Sequence, residues 1–121
     1  VDFRQIEYTH IMENMVYNEL RKQGYTVDVG SVESFKRDEN GKLQRRNLEI
    51  DFVVNRHDER LYIQSAYALP NKEKVDQEQA SLLNVKDGFR KVIIVGDRYY
   101  SNYNEEGIMM MSLFDFLLGT K

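Results

Sequence analysis

The spacing of apolar residues predicts a helix at the start of the chain. Apolar residues recur there every three or four positions, which is typical of a helix with one buried face. These residues are Ile11, Met12, Met15, Val16 and Leu20. Gly24 stands just after them, where glycine commonly ends a helix in the left-handed conformation. We therefore predict a helix that begins as early as Arg4 and ends at Gly24.

Extended segments follow this helix. Residues 25–29 alternate apolar and polar positions, and residues 47–55 and 60–68 are rich in β-branched and aromatic residues. Asn40-Gly41 lies between the first two segments and is a strong signal for a two-residue hairpin turn, because both turn positions need positive φ. That turn predicts a register in which Val27 lies opposite Val54 and Val29 lies opposite Phe52.

A second turn is predicted at residues 56–59, as a four-residue loop. It places Val53 opposite Tyr62 and Asp51 opposite Gln64, and in the same register Glu49 opposite Ala66. Opposed residues of adjacent strands point to one face of the sheet, with Cβ atoms roughly 5 Å apart. The two turns together predict a three-stranded antiparallel meander with a polar pair at its centre.

The second half of the chain predicts a helix and two more strands before a final helix. Pro70 ends the third strand, and residues 71–83 follow as a helix with Asn71 as N-cap. Its predicted inner side is Val75, Gln79, Leu82 and Leu83. Residues 91–95 are predicted as a strand, and their continuous apolar run at 92–95 is typical of a strand covered on both faces. A right-handed crossover would make this strand parallel to the third strand.

The chain then closes with a loop, a strand and a short helix. Residues 98–106 are predicted as a loop and residues 108–111 as a strand. Ser112 and Asp115 have the spacing of a capping box, and Gly119 ends the helix that it opens. The order α-β-β-β-α-β-β-α predicts an α/β domain with a mixed central sheet flanked by helices.

Composition limits the classes of protein that fit this pattern. A chain of 121 residues is one domain, residues 1–121. Its longest apolar runs are four residues, too short for a membrane span or a signal peptide. The absence of cysteine excludes disulfides and thiolate zinc sites and fits a reducing cytoplasm. Because the chain starts with Val1 rather than methionine, we expect a fragment of a longer protein.

Charge is unevenly distributed along the chain. The net charge of −3 argues against a protein that coats nucleic acid. One predicted hairpin is nevertheless basic, with only Asp38 and Glu39 as acids. Its basic residues are Lys36, Arg37, Lys42, Arg45 and Arg46. The ordinary interpretation is a solvated hairpin tip, and the alternative is an arm that contacts nucleic-acid phosphates.

Several short motifs in a fixed order resemble a known family. They are residues 12–20 (MENMVYNEL), 21–25 (RKQGY), 49–52 (EIDF) and 62–67 (YIQSAY), with the ending at residues 107–118. The chain resembles the C-terminal domain of a large group of prokaryotic AAA-type ATPases of uncharacterised function. Such domains are similar in fold to the PD-(D/E)XK, restriction-endonuclease-like superfamily.

The resemblance implies a site that has lost part of its chemistry. In active members, acids on a helix and two strands hold Mg²⁺ and activate water, and a lysine orients that water. The matching acids, and metal ligands, are Glu13 and Asp51, whereas Gln64 stands at the third position and Ala66 at the lysine position. An amide is a poorer ligand than a carboxylate for a hard cation. Lys72 or Lys74 on the next helix is a candidate migrated lysine.

Three functional hypotheses follow from the resemblance. The favoured one is a non-catalytic DNA- or partner-binding, regulatory module of an attached ATPase. The second is a Mg²⁺-dependent DNA nuclease that uses a migrated lysine. The third is a structural domain that sets the oligomeric state of the ATPase. For Asp51 alone, an ordinary strand residue facing solvent is the favoured interpretation, and Glu13 could be an ordinary surface acid of the helix. The predicted Asp51–Gln64 pairing and the resemblance together make a functional or vestigial site equally favoured.

Overall fold

The computed structural model describes residues 3–97, 99 and 101–119. Its elements in chain order are α1 Phe3–Lys22, β1 Thr26–Arg37, β2 Leu43–Arg56, β3 Glu59–Ala66, α2 Lys72–Leu83, β4 Arg90–Val95, β5 Asn102–Tyr103, β6 Met109–Ser112 and α3 Leu113–Leu118. The predicted order is confirmed, with one addition. The two-residue strand β5 lies in the segment predicted as a loop, of which Arg98 and Tyr100 lie outside the described residues.

The strands form a single mixed sheet in the order β1-β2-β3-β4-β6-β5. β1, β2 and β3 are an antiparallel meander, β3, β4 and β6 are parallel, and β5 is antiparallel to β6. Gln64 of β3 lies beside Ile93 of β4 in the parallel ladder. The crossover through α2 therefore has the predicted parallel arrangement, and the α/β class with a flanked mixed sheet is confirmed.

Two apolar layers cover the sheet, one on each side. On the first, which we call the α1 face, Met12, Val16 and Leu20 of α1 pack with Phe52, Val54, Ile63, Val92 and Ile94, and Leu113 and Phe116 of α3 join them. On the second, the α2 face, Leu82 packs with Ile50, Tyr62, Ala66, Ile93, Val95, Ile108 and Met110. Ile11 and Met15 are exposed, so the buried stripe of α1 is narrower than predicted.

The predicted helix ends are confirmed by their hydrogen bonds. Gly24 has a φ of +91°, its N–H donates to the Arg21 carbonyl, and the Tyr25 N–H donates to the Leu20 carbonyl, each at 3.0 Å. This pair of bonds is the glycine-dependent Schellman ending. In α2 the Asn71 side chain accepts the Lys74 N–H, and in α3 the Ser112 side chain accepts the Asp115 N–H.

One residue of the predicted inner side of α2 is wrong. Leu83 is exposed, whereas Leu82 and Gln79 are buried. Residues three and four apart share a helix face, so Val75, Gln79 and Leu82 face the sheet together and Leu83 is rotated away from it. The third buried residue of this helix is Ser81.

The first hairpin turn lies where Asn40-Gly41 predicts it, but it is longer than two residues. Asp38 and Lys42 close a three-residue loop, with the Asp38 N–H donating to the Lys42 carbonyl at 2.9 Å. Gly41 has a φ of +76°, whereas Asn40 does not have positive φ. The Asp38 carboxylate accepts the N–H groups of Asn40 and Lys42, each at 2.9 Å, and these bonds stabilise the longer loop.

The second hairpin has the predicted register with a shorter turn. Val53 lies opposite Tyr62, as predicted, but Arg56 pairs with Glu59. Only His57 and Asp58 therefore form the turn, rather than four residues. His57 has a φ of +56°, a conformation that histidine tolerates better than β-branched residues do.

A β-bulge in β2 shifts the register of the first hairpin. Val27 lies opposite Val54 as predicted, but Gly30 lies opposite Ile50, so Asp51 and Phe52 together oppose Val29. The predicted Val29–Phe52 pair is wrong, and Val29 is 70% exposed. The bulge requires glycine at position 30, since a Cβ there would lie 2.5 Å from Cγ2 of Val53.

Candidate functional site

β2 and β3 separate next to the bulge. Their ladder runs from Arg56–Glu59 to Phe52–Ile63, and beyond it β3 continues along β4. Glu49 pairs with Ser31 of β1 and Ala66 pairs with Val95, so the predicted Glu49–Ala66 opposition is wrong. A bulge bends the strand that contains it, which explains why the two strands part at Asp51. We call this point the fork.

Two side chains bridge the fork. Gln64 Oε1 accepts the backbone N–H of Asp51 at 2.7 Å. Asp51 Oδ2 accepts the backbone N–H of Ser65 at 2.9 Å and its hydroxyl at 3.3 Å. Backbone N–H groups that lose their ladder partners inside a protein must find another acceptor. The predicted neighbourhood of Asp51 and Gln64 is therefore present, and each side chain takes the place of a ladder carbonyl.

The amide of Gln64 is engaged at both ends. Its Nε2 donates to the backbone carbonyl of Glu78 in α2 at 3.2 Å, and the residue is only 7% exposed. A glutamate could accept the Asp51 N–H but could not donate to the Glu78 carbonyl. The local geometry therefore requires an amide, with its oxygen toward a donor and its nitrogen toward an acceptor.

The side chains of Asp51 and Gln64 have different partners. Ile63 packs on the α1 face, so Gln64, the next residue of β3, points to the opposite face and contacts α2. The Asp51 carboxylate instead accepts hydrogen bonds from Ser65. Register alone predicts that the pair shares one face with Glu13 of α1. That prediction is wrong for Gln64, because the bulge ends the regular alternation of β2 at Asp51.

Glu13 lies within the electrostatic field of Asp51. Partial burial raises the pKa of Glu13 above its usual 4.5, the charges of Asp51 and Glu49 raise it further, and His10 opposes them. Burial also raises the pKa of Asp51 above its usual 3.8, opposed by the hydrogen bonds from Ser65. The structure therefore brings Glu13, Asp51 and Glu49 into mutual repulsion.

Glu78 is a fourth carboxylate near the fork that the sequence did not single out. Burial raises its pKa and so does the charge of Asp51, whereas the Lys74 ammonium 3.6 Å away opposes both effects. The signal available in the sequence was the four-residue spacing of Lys74 and Glu78 in a helix, which is common on helix surfaces. Spacing alone could not show that this pair faces inward.

A cleft of about 330 Å³ opens beside the fork, between α1, the end of β3 and α2. Its lining residues are Gln5, Ile6, Thr9, His10, Ser65, Ala66, Tyr67, Ala68, Pro70, Lys74 and Glu78. Ala66, at the position where the resemblance expects lysine, is therefore next to a cleft that Lys74 also reaches. Lys72 instead pairs with Asp76 on the exposed side of α2, at 3.2 Å.

These residues do not fit the Mg²⁺ cage that the resemblance implies. Mg²⁺ is held by carboxylate oxygens in near-ideal octahedral geometry. Gln64 is engaged with the backbone, and no three His, Asp or Glu side chains within residues 3–97, 99 and 101–119 are grouped to hold a metal ion. Glu13 and Asp51 are coupled by charge, but the described part of the chain supplies no complete ligand set.

The basic residues of the first hairpin lie away from the fork. Every residue from 35 to 47 is exposed, and we call this segment the arm. Arg45 pairs with Glu33 at 3.5 Å, and Arg37 donates to the Gly41 carbonyl at 2.8 Å. In the described structure, the side chains of the three remaining basic residues form no ion pair or hydrogen bond. They are Lys36, Lys42 and Arg46.

The arm and the rest of the chain carry opposite charge. The arm has five basic and two acidic residues, a net charge of +3. The rest of the chain has 12 basic and 18 acidic residues, a net charge of −6. The five basic residues that the sequence singled out are thus brought together on one projecting element. Within the described residues, no helix is long and apolar enough to cross a membrane.

Comparisons with known proteins connect the chain to an uncharacterised group. Residues 8–114 match the profile of DUF4143, a domain of unknown function. Over 111 residues the chain is 35% identical to an uncharacterized protein from Haemophilus influenzae. That match covers 92% of this chain and 24% of the relative, so the chain spans about a quarter of the length of this curated protein.

Proposed function

The chain belongs to the DUF4143 family, and we propose that it is a non-catalytic DNA-binding module of a longer protein that contains an ATPase. In this proposal the sheet is similar to that of PD-(D/E)XK nucleases, but the nuclease site has become a structural junction. The basic arm, rather than the fork, contacts the nucleic acid.

The observation that carries the proposal is the double hydrogen bond of Gln64. Its amide joins the Asp51 N–H to the Glu78 carbonyl, so it connects β2, β3 and α2. A metal ligand at this position would have to release both backbone groups into a buried, partnerless state, which costs about 1–3 kcal/mol for each group. We therefore assign Gln64 a structural role rather than a catalytic one.

The arm supports the DNA-binding part of the proposal. DNA is a dense line of negative charge, and a protein gains affinity by placing cations against its phosphates. The arm combines exposure along its whole length, a net charge of +3 and three cations without partners among the described residues. The remaining chain is negatively charged, so DNA phosphates would repel its surface and attract the arm. This difference would orient the arm toward the duplex.

Two observations support the ATPase part of the proposal. The motifs resemble the C-terminal domain of prokaryotic AAA-type ATPases, and the relative from Haemophilus influenzae is about four times longer than the matched region. A DNA-binding domain attached to an ATPase would hold the ATPase on the DNA. Purification of the longer relative and measurement of its ATP hydrolysis with and without duplex DNA would test this part.

Titration of a labelled duplex tests the arm directly. We expect the change Lys36→Ala, Lys42→Ala and Arg46→Ala in one protein to weaken binding equally for unrelated sequences. The salt slope should fall by about one for each phosphate that the variant no longer neutralises. The matched control is Arg21→Ala, Lys72→Ala and Lys86→Ala, which removes the same three charges from other exposed positions. Equal weakening in both proteins would contradict a specific role for the arm.

A plasmid-nicking assay tests the absence of catalysis. With Mg²⁺ or Mn²⁺ we expect cleavage near background, because Gln64 replaces the third acid of the signature and Ala66 replaces its lysine. Removal of one electrostatic interaction with a transition state commonly costs about 10²–10³ in rate. Clear cutting that disappears in Asp51→Ala would instead establish the nuclease hypothesis.

The second candidate function is that nuclease, and the position of Lys74 favours it. Lys74 lines the cleft beside Ser65 and Ala66, whereas Lys72 is on the exposed side of the same helix. If the protein cleaves DNA, Lys74→Ala should abolish cleavage and Lys72→Ala should not. Similar activity in the two variants would exclude Lys74 as the migrated lysine.

A further inference from the structure

The arm has two chemically different faces. Phe35 pairs with Arg45 and Arg37 pairs with Leu43, so these four residues share one face of the ribbon. Lys36 pairs with Gln44 on the other face, which also carries Arg46. One face therefore combines two apolar residues with two arginines, and the opposite face is polar and basic.

The apolar pair on the arm is exposed to solvent. Phe35 is 56% exposed and Leu43 is 52% exposed. They belong to alternate pairs of the ladder, with Lys36–Gln44 between them, and are diagonal neighbours on one face near the turn. Both apolar layers of the core end before the arm, so neither helix covers this pair. Paired apolar residues at the end of a charged projection are typical of an interaction site.

The length and charge of the arm suit binding along a groove of duplex DNA, and the charge rather than the width favours the minor groove. The five strand residues from Leu43 to Asn47 extend roughly 16 Å at about 3.3 Å per residue, and the two strands are about 4.8 Å apart. Arginine is attracted to the negative potential of a narrow minor groove. Arg37 donates to the Gly41 carbonyl and Arg45 pairs with Glu33, so both arginines of the apolar face have a partner within β1 or the turn.

We propose that the arm enters the minor groove of duplex DNA, where Phe35 and Leu43 wedge between adjacent base pairs and bend the duplex. This inference rests on the proposed DNA-binding function and adds the groove and the deformation. Apolar wedges of this kind partly unstack a base step, at a cost of a few kcal/mol, and bend the duplex toward the major groove.

The test is a measurement of DNA bending with the whole 121-residue chain. A short duplex labelled at both ends would report its end-to-end distance by energy transfer at saturating protein. We expect bending with the natural sequence and none with Phe35→Ala plus Leu43→Ala. Affinity should fall about tenfold in that variant, which corresponds to 1.4 kcal/mol. A minor-groove ligand of the netropsin type should compete with the natural protein.

A matched control removes the same two residue types from another exposed surface. Phe114 and Leu118 of α3 are 71% and 64% exposed, and Phe114→Ala plus Leu118→Ala should leave bending and affinity unchanged. Circular dichroism of both variants would establish that each retains its secondary structure. Loss of bending only in the arm variant supports the wedge.

Three results would overturn this inference, and a fourth would also overturn the proposed function. Binding without bending, or bending that persists in the arm variant, would exclude insertion of Phe35 and Leu43 between base pairs. Either result would leave the DNA-binding proposal intact. A dimer in light scattering that becomes a monomer only in the arm variant, with no DNA bending, would assign the apolar pair to contact with a second copy. Failure of the natural protein to bind any duplex overturns the proposed function itself.

Discussion

The two halves of β2 differ in almost every physical property. Residues 52–56 pair with β3, residues 53–55 also pair with β1, and Phe52 and Val54 are buried in the core. Residues 43–49 pair with β1 alone, and residues 43–47 are exposed. The bulge at Asp51 and Phe52 marks the boundary. One strand thus contributes to the stability of the core with one half and supplies a projecting, charged surface with the other.

This difference shows how the fold separates stability from recognition. A strand covered on both faces has a strongly determined register, because a shift of one residue would turn every side chain to the other face. An exposed ribbon has no such constraint and can carry charged and apolar residues side by side. We therefore expect substitutions near the fork to change stability and substitutions in the arm to change binding.

The largest effect is expected for Gln64→Glu. The new carboxylate cannot donate to the Glu78 carbonyl, and it would be buried beside the negative charges of Asp51 and Glu78, while the nearby Lys74 ammonium already pairs with Glu78. An uncompensated buried charge lowers the free energy of unfolding by about 3–5 kcal/mol, measurable by urea denaturation at pH 7. Gln44→Glu, the same change in the arm, should cost less than about 1 kcal/mol. Recovery of Gln64→Glu stability on addition of Mg²⁺ would reveal a latent metal site and contradict the structural role.

A smaller loss is expected for Gly30→Ala beside the bulge. The added methyl would lie 2.5 Å from Cγ2 of Val53, so the packing must shift. Overpacking of this kind lowers the free energy of unfolding by about 1–3 kcal/mol. Gly88→Ala is the matched control, because a Cβ there meets nothing within 4 Å and its φ is ordinary. Equal stability of the two variants would show that the bulge is not constrained by glycine.

The pH dependence of stability should also distinguish the fork from the arm. Glu13, Asp51 and Glu78 all have raised pKa values in the folded state, mainly because of burial. The folded protein therefore holds these protons more tightly than the unfolded chain. Their contribution is fully present below the ordinary pKa values near 4 and is lost as the pH rises through the raised values.

Asp51→Asn tests that dependence. The asparagine oxygen can still accept the Ser65 N–H, while the charge that raises the pKa of Glu13 and Glu78 is removed. Denaturation at a series of pH values should show a shallower loss of stability between mildly acidic and neutral pH than in the natural protein. Asp58→Asn in the exposed second turn should leave the slope unchanged. A steeper slope in Asp51→Asn would contradict the proposed repulsion.

The smallest effect on stability is expected for Phe35→Ala plus Leu43→Ala in the arm. Both side chains are largely exposed, so their removal should change the free energy of unfolding by no more than about 0.5 kcal/mol for each residue. Urea denaturation beside Ile50→Ala, a buried position at the base of the arm, gives the comparison. Truncation of Ile50 should cost about 2–5 kcal/mol. A comparable loss from the arm pair would show that the arm packs against the body.

The sequence by itself determined the features that depend on short-range chemistry. Gly24, Asn71, Ser112 and Gly119 end or begin helices as predicted, because their bonds involve residues only a few positions away. The element order and the parallel β3–β4 pair also follow from local periodicity and the crossover rule. The register of β2 and β3 was predictable because a short turn and a two-sided core permit only one alignment.

Only the tertiary structure decided what happens at Asp51. The bulge lies where Gly30 passes close to Val53 and Ile50, which are distant from it in sequence and meet it only when the sheet forms. The partners of Gln64 and the inward position of Glu78 depend on how α2 packs over the fork. The arm is a basic hairpin in the sequence, but its exposure depends on where both helices end. Long-range packing, rather than local preference, therefore separates the fork from the arm.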